Sequence, residues 1–342
     1  MYFYNNGLWA MQYMKWNKNI KFFVNYFLGP LLFIVLSYVI YKEIKKQPNW
    51  EMVFLPLQTT TGIIYLLAVL VLMLCNWSIE AIKWKILVRP IQPVSLGNAF
   101  KATLAGVSFT LVAPNRMGEY LGRVMYMNDG NKLKAISMTV AGGISQLLVT
   151  LLLGSVGLIV LQVDIIQQQL VSYLWMQVLI WGTLLVTIAL ALFYFRLSWM
   201  VRLIKKIPGV QRFLYLIEPV QFLDATILLR LLSLSLLRFL VFTTQYYLMF
   251  CLFNVEVTVW QAFWAVCVSF LILAVVPSFA IAELAQRGFV IKTLVGIYST
   301  NVLGMVTATT CIWVINLMLP AIAGSLLILS IKRIIKEKDE DV

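Results

Sequence analysis

The 342-residue sequence contains no histidine. That absence excludes histidine-based triads, histidine metal sites and imidazole proton relays together. Charge is nearly as scarce, at 12% of residues against about 25% in ordinary soluble domains. The four cysteines (Cys75, Cys251, Cys267 and Cys311) stand inside apolar runs without metal-ligand spacing, so they read as reduced small hydrophobes. No Walker A sequence occurs, which excludes drive by a P-loop ATPase. The first 20 residues are aromatic and polar, with neither the apolar core nor the cleavage site of a signal peptide, and read as a cytoplasmic lead-in.

Apolar residues supply what is missing elsewhere, making up 61% of the chain. This composition specifies an all-α polytopic membrane protein. The net charge of +13 sits in short basic runs flanking apolar segments, such as Lys42/Lys45/Lys46 and Arg202/Lys205/Lys206. No long basic face carries interleaved aromatics, so nucleic acid is excluded as a partner and anionic lipid headgroups are expected instead. The 11 tryptophans read as interfacial belts and helix packing.

Hydrophobic runs predict spans at 22–41, 61–87, 135–161, 174–195 and 227–253, with a loop carrying Asp164 after the third. The apolar run from Val290 to Ile331 is long enough for two further passes. The apolar arm 98–113, broken by Pro114, is short for a full span, and a second broken element covers 259–287 with Pro277 in its middle. The expected fold has seven to nine transmembrane helices with two re-entrant or broken-helix hairpins in an inverted repeat. The whole of 1–342 reads as one integral membrane domain. Within it, 61–161 forms the first repeat, 196–225 a cytoplasmic amphipathic connector, 226–331 the second repeat and 332–342 a charged tail.

The repeat rests on residues. Val94-Ser95-Leu96-Gly97-Asn98-Ala99-Phe100 matches Val257-Thr258-Val259-Trp260-Gln261-Ala262-Phe263 at three identical and three similar positions. Each alanine is followed 15 residues later by a proline, then by a glutamate (Glu119, Glu283) and, four residues on, by an arginine (Arg123, Arg287). Glu-x-x-x-Arg places both charges on one helix face, where they neutralise each other. A carboxylate at the bilayer centre costs roughly 2.5–3.5 kcal/mol, so two such units are no accident: each is a headgroup site or an interfacial turn fixed by an ion pair. Helices that restart after a proline at membrane depth point free N–H groups inward, an arrangement suited to an anionic group.

Ala113-Pro114-Asn115-Arg116-Met117-Gly118-Glu119-Tyr120-Leu121-Gly122-Arg123 resembles the signature TPxRxGE…R of the lysylphosphatidylglycerol synthase transmembrane region, the flippase-like domain of the multiple peptide resistance factor. Pro277-Ser278 through Glu283 to Arg287-Gly288 is similar to its second signature, and Glu80 to Leu87 looks like its helix-end motif with Lys83-Trp84 for Arg-Trp. The resemblance covers roughly residues 20–330 and implies lipid translocation by inverted repeats in the bacterial inner membrane. The chain departs from the pattern at Gly142-Gly143-Ile144-Ser145-Gln146, where relatives often carry an acidic-basic pair.

The expected substrate site is therefore Asn115, Arg116, Glu119 and Arg123 in the first half, with Glu283 and Arg287 in the second. Arg238, deep in the fifth span, joins them because it needs a partner or a wet cavity. Glu80 and Lys83-Trp84-Lys85 read as a snorkelling anchor with a belt tryptophan, or as the headgroup route. Asn76-Trp77-Ser78 matches a glycosylation acceptor but lies within a span. The expected function is a lipid transporter for an anionic or amphiphilic phospholipid, with no catalytic residues, cofactor or metal. A non-transporting scaffold or channel subunit, or an intramembrane lipid-modifying transferase, is the alternative. The longest polar segment, about 30 residues, leaves no room for a soluble aminoacyltransferase domain.

Overall fold

A computed structural model describes residues 55–110, 118–197, 199, 201, 214–276 and 280–328, with the backbone alone described at 280–283. The expected span at 22–41, both prolines Pro114 and Pro277, and the charged tail lie outside the described residues.

The described residues are helical, with no strand among them. Five helices are long and apolar enough to cross a membrane, so the chain is a polytopic all-α membrane protein. In chain order, α1 is Thr60–Val88, α2 Leu96–Thr110, α3 Gly118–Val124, α4 Lys132–Gln167 and α5 Tyr173–Phe195. After a short helical stretch at Leu214–Ile217 and a 3-10 turn at Glu218–Phe222 come α6 Ala225–Leu252, α7 Val259–Val275 and α8 Ala280–Val295. The last, α9, runs over Val302–Ile328.

Two expectations need correction. Asp164 is not in a loop but in the last turn of α4, where it accepts a hydrogen bond from the Tyr298 hydroxyl. The run 290–331 does not make two passes among the described residues. Its first residues close α8, and Asn301 then caps α9 by accepting a bond from the Gly304 N–H at 2.8 Å. An asparagine at that position starts a helix in mid-run, so apolar length alone misleads there.

The element order long, short, short, long occurs twice, as α1–α4 and as α6–α9. Side chains at equivalent places start the short arms. Ser95 Oγ accepts from the Asn98 N–H at 3.3 Å, and Thr258 with Gln261 forms a full capping box. At about 1.5 Å per residue, the described residues of α2 extend about 22 Å and those of α3 about 10 Å.

α2 and α3 pack antiparallel with their backbones in contact. A Cβ on Gly122 would sit 2.3 Å from the Gly106 nitrogen, and one on Gly118 would sit 2.0 Å from the Phe109 carbonyl oxygen. Glycine at both positions allows that approach.

The two sets of four helices grip each other reciprocally. α1 and α6 run antiparallel, with Gln245 Nε2 donating to the Val69 carbonyl at 2.9 Å and Asn76 meeting Arg238 further along. α4 lies on α7 through Gly154 against Leu271 and Gly157 against Val268. α9 lies on α2 in the same manner. Gly324 abuts Leu104, and Ser108 Oγ donates to the Ala321 carbonyl at 2.7 Å. The fourth helix of each set thus packs on the second helix of the other.

Candidate functional site

Asn76, Glu80 and Lys83 fall on one face of α1 by their spacing of four and three residues. All three are buried in a helix that is mostly apolar. Glu80 is the centre of the polar cluster. Its Oε1 accepts from Arg123 Nη2 of α3 at 2.7 Å, its Oε2 accepts from Arg238 Nη1 of α6, and Lys83 Nζ stands 3.9 Å from the same oxygen. Arg123 is 2% exposed and shared, because its Nη2 also donates to Glu119 one turn away.

Three cations thus meet two carboxylates across three helices. Such a cluster is tolerated in an apolar surrounding because each charge faces an opposite one and both arginines are hydrogen-bonded to carboxylates.

The snorkelling reading fails for Lys83 and Trp84, while Lys85 is exposed as that reading has it. Lys83 and Trp84 are 2% and 0% exposed, and the Trp84 indole donates to Thr139 Oγ1 at 3.3 Å. The ammonium of Lys83 is drawn inward by Glu80 rather than outward to water. The tryptophans divide between helix packing and the exposed surface: Trp77, Trp84, Trp264 and Trp313 are buried, whereas Trp175, Trp181, Trp199 and Trp260 are exposed.

Arg238 finds both a partner and a cavity. Its Nε donates to Asn76 Oδ1 at 2.7 Å, and its guanidinium lies over the rings of Trp77 and Phe242, with centroids at 5.1 and 5.8 Å. Asn76 passes the connection on to α9 through Asn316 Oδ1 at 3.4 Å. Asn316 lies in a π-helical turn, Val314–Met318, whose extra residue widens the helix beside the cluster.

A cavity of about 80 Å³ opens beside these groups. Trp77, Thr110, Glu119, Arg238, Arg287, Trp313 and Asn316 supply its polar wall, and they come from α1, α2, α3, α6, α8 and α9. Val107, Phe242 and Ile312 contribute apolar wall. The Arg287 guanidinium lies 6.0 Å from the centroid of Phe270, whose ring packs edge-on against Phe242. Aromatic faces therefore support the two cavity arginines from both halves.

Of the residues expected from sequence, Glu119, Arg123, Arg238 and Arg287 are brought together. Asn115 and Arg116 lie outside the described residues, as does the side chain of Glu283. Glu80, Asn76, Asn316, Trp77 and Trp313 were not in the expected set. The first two had a signal: polar residues at Asn76, Glu80 and Lys83 form one stripe on an apolar span. At the departure from the family pattern, Ser145 Oγ and Ser235 Oγ lie 2.9 Å apart, and Gln146 Oε1 is buried without a partner among the described residues.

The family model described as the lysylphosphatidylglycerol synthase TM region matches residues 26–324. No curated protein matches the chain.

Proposed function

The chain belongs to the lysylphosphatidylglycerol synthase TM region family, and on that premise we propose that it moves an anionic phospholipid across a membrane, taking the headgroup into the cavity between its two sets of four helices. One observation carries the proposal. Arg238 and Arg287, from separate helices of the second set, line one cavity with Glu119 of the first, directly beside the Glu80 cluster. Guanidinium groups in a low-dielectric cavity attract a phosphate strongly and hold it in a fixed geometry.

In this reading the two sets are inverted repeats about an axis in the membrane plane, and the α2–α3 and α7–α8 hairpins are re-entrant. The antiparallel α1–α6 contact and the reciprocal α4–α7 and α9–α2 packing support it. Movement of one set against the other would expose the cavity to alternate sides. The protein acts as a transporter and not as an enzyme, its partners are membrane lipids, and its place is the bacterial inner membrane.

A second reading has one observation in its favour: Glu80, Arg123 and Arg238 satisfy one another, as a purely structural tie in a non-transporting scaffold would. Translocation separates the two readings. Purified protein in liposomes should move fluorescent phosphatidylglycerol between leaflets faster than protein-free liposomes do. Equal rates across a panel of anionic lipids would leave the scaffold.

A further inference from the structure

We propose that the indole N–H groups of Trp77 and Trp313 are headgroup ligands and that they make the cavity selective for a phosphate-bearing lipid. The inference rests on reading the cavity as a headgroup site, and it assigns a role to two residues on opposite sets of helices.

Both tryptophans line the cavity, and they are 6% and 3% exposed. Neither Nε1 has a hydrogen-bond partner among the described residues. A buried donor left unpaired is unfavourable and uncommon in a native fold, so two at one cavity call for an acceptor. The fold does satisfy an indole on the same helix, since Trp84, two turns along α1, donates to Thr139.

The rest of the wall narrows what that acceptor is. The two side-chain bonds of Arg238 use Nε and Nη1, which leaves the Nη2 edge for a ligand. Two of the cavity's acceptors are engaged, Glu119 Oε1 by Arg123 and Asn316 Oδ1 by Asn76, and the Thr110 hydroxyl spends its proton on the Gly106 carbonyl. Donors therefore dominate the open chemistry, and the complementary group carries several acceptor oxygens and a negative charge. A phosphate meets that description; a hydroxylated or amine-only headgroup does not. The ring of Trp77 also supports the Arg238 guanidinium, so one side chain both positions the cation and supplies a neutral donor beside it.

The test uses the full chain in maltoside micelles with ¹⁵N-indole tryptophan. The probes are dihexanoyl phosphatidylglycerol, inorganic phosphate, and dioctanoylglycerol, which lacks phosphate. Trp77→Phe and Trp313→Phe keep the ring, and at position 77 the support of Arg238, while removing the N–H. Trp264→Phe is the control, because Trp264 also has a buried, unpartnered N–H but packs in the core against α4, away from the cavity.

Phosphatidylglycerol should shift the indole resonances of Trp77 and Trp313 and leave that of Trp264 in place. Each of the two variants should bind it about tenfold more weakly, and Trp264→Phe should bind as the wild type does. An unchanged Trp264 resonance in the two variants shows that they are folded. Equal shifts with inorganic phosphate would assign recognition to the phosphate alone, and shifts with the lipid only would add its glycerol and chains; either supports the ligand chemistry. Wild-type affinity in both variants, or equal binding of dioctanoylglycerol, would overturn the inference while the headgroup site stands. No binding of phosphatidylglycerol by the wild type would remove the headgroup reading and the inference with it.

Discussion

Arg238 on α6 donates to the carboxylate of Glu80 on α1, across 158 positions of sequence and between the two sets of helices. Glu80 is the shared counter-ion of Lys83, Arg123 and Arg238, so its loss leaves three cations in an apolar surrounding with Glu119 alone. Glu80→Gln should destabilise the protein by about 3–5 kcal/mol, the usual cost of breaking a buried pair from one side. Thermal unfolding in detergent measures it. Adding Arg238→Gln should return part of the loss, because the two residues are coupled; strict additivity would contradict a shared cluster.

The hairpin contact makes a sharp contrast among glycines. Gly122→Ala places a methyl 2.3 Å from the Gly106 nitrogen, and should cost about 1–3 kcal/mol by forcing α2 and α3 apart. Gly143→Ala, in α4, meets nothing within 4 Å and should be neutral or stabilising by about 0.5–1 kcal/mol through helix propensity. Parallel melting curves of the two variants check this, and equal effects would count against the close backbone approach.

Much of the scaffold is legible in the chain because its causes are local. The long apolar runs give α1, α5 and α6 within two residues, and α7 stops at Val275 ahead of Pro277. Glu119 and Arg123 pair as their spacing implies. What stays hidden has non-local causes. Lys83 looks like a snorkelling lysine until Arg123, Arg238 and Glu80 are seen around one another, and no periodicity encodes a partner 158 residues away. The single pass of α9 depends on Asn301 acting as a cap, which hydropathy does not register. Trp77 and Trp313 carry no mark that separates them from belt tryptophans; a cluster drawn from both sets, with Leu104, Val107 and Leu284, buries them.

The packing of α4 on α6 is open to a direct cross-link. Ser145 Oγ and Ser235 Oγ are buried and 2.9 Å apart, close enough for sulfurs at those positions to meet. With Cys75, Cys251, Cys267 and Cys311 replaced by alanine or serine, Ser145→Cys/Ser235→Cys should form an intramolecular disulfide on mild oxidation, visible as a mobility shift lost on reduction. No cross-link under conditions that oxidise a control pair would contradict this register.

Asn316 connects the cluster to the cavity wall through Asn76. Asn316→Leu removes that amide and leaves Asn76 Nδ2 without its acceptor, which should cost about 1–3 kcal/mol. Asn316→Gln and Asn316→Asp keep an acceptor oxygen, and the better-fitting of the two should recover part of the loss. Denaturation midpoints of the three variants check it, and equal stability in all three would mean that the amide pair contributes nothing.

The central claim is that the cavity arginines carry an anionic headgroup between leaflets. Its most direct measurement is the rate of fluorescent phosphatidylglycerol movement in proteoliposomes, compared for the wild type and for Arg287→Gln, with folding of the variant confirmed by its unfolding midpoint. The account predicts that the wild type accelerates movement over protein-free liposomes and that Arg287→Gln lowers the protein-dependent rate by at least tenfold, since a lost charge-assisted hydrogen bond is worth about 1.5–3 kcal/mol. A folded Arg287→Gln that moves phosphatidylglycerol at the wild-type rate, or a wild type that moves none, would contradict it.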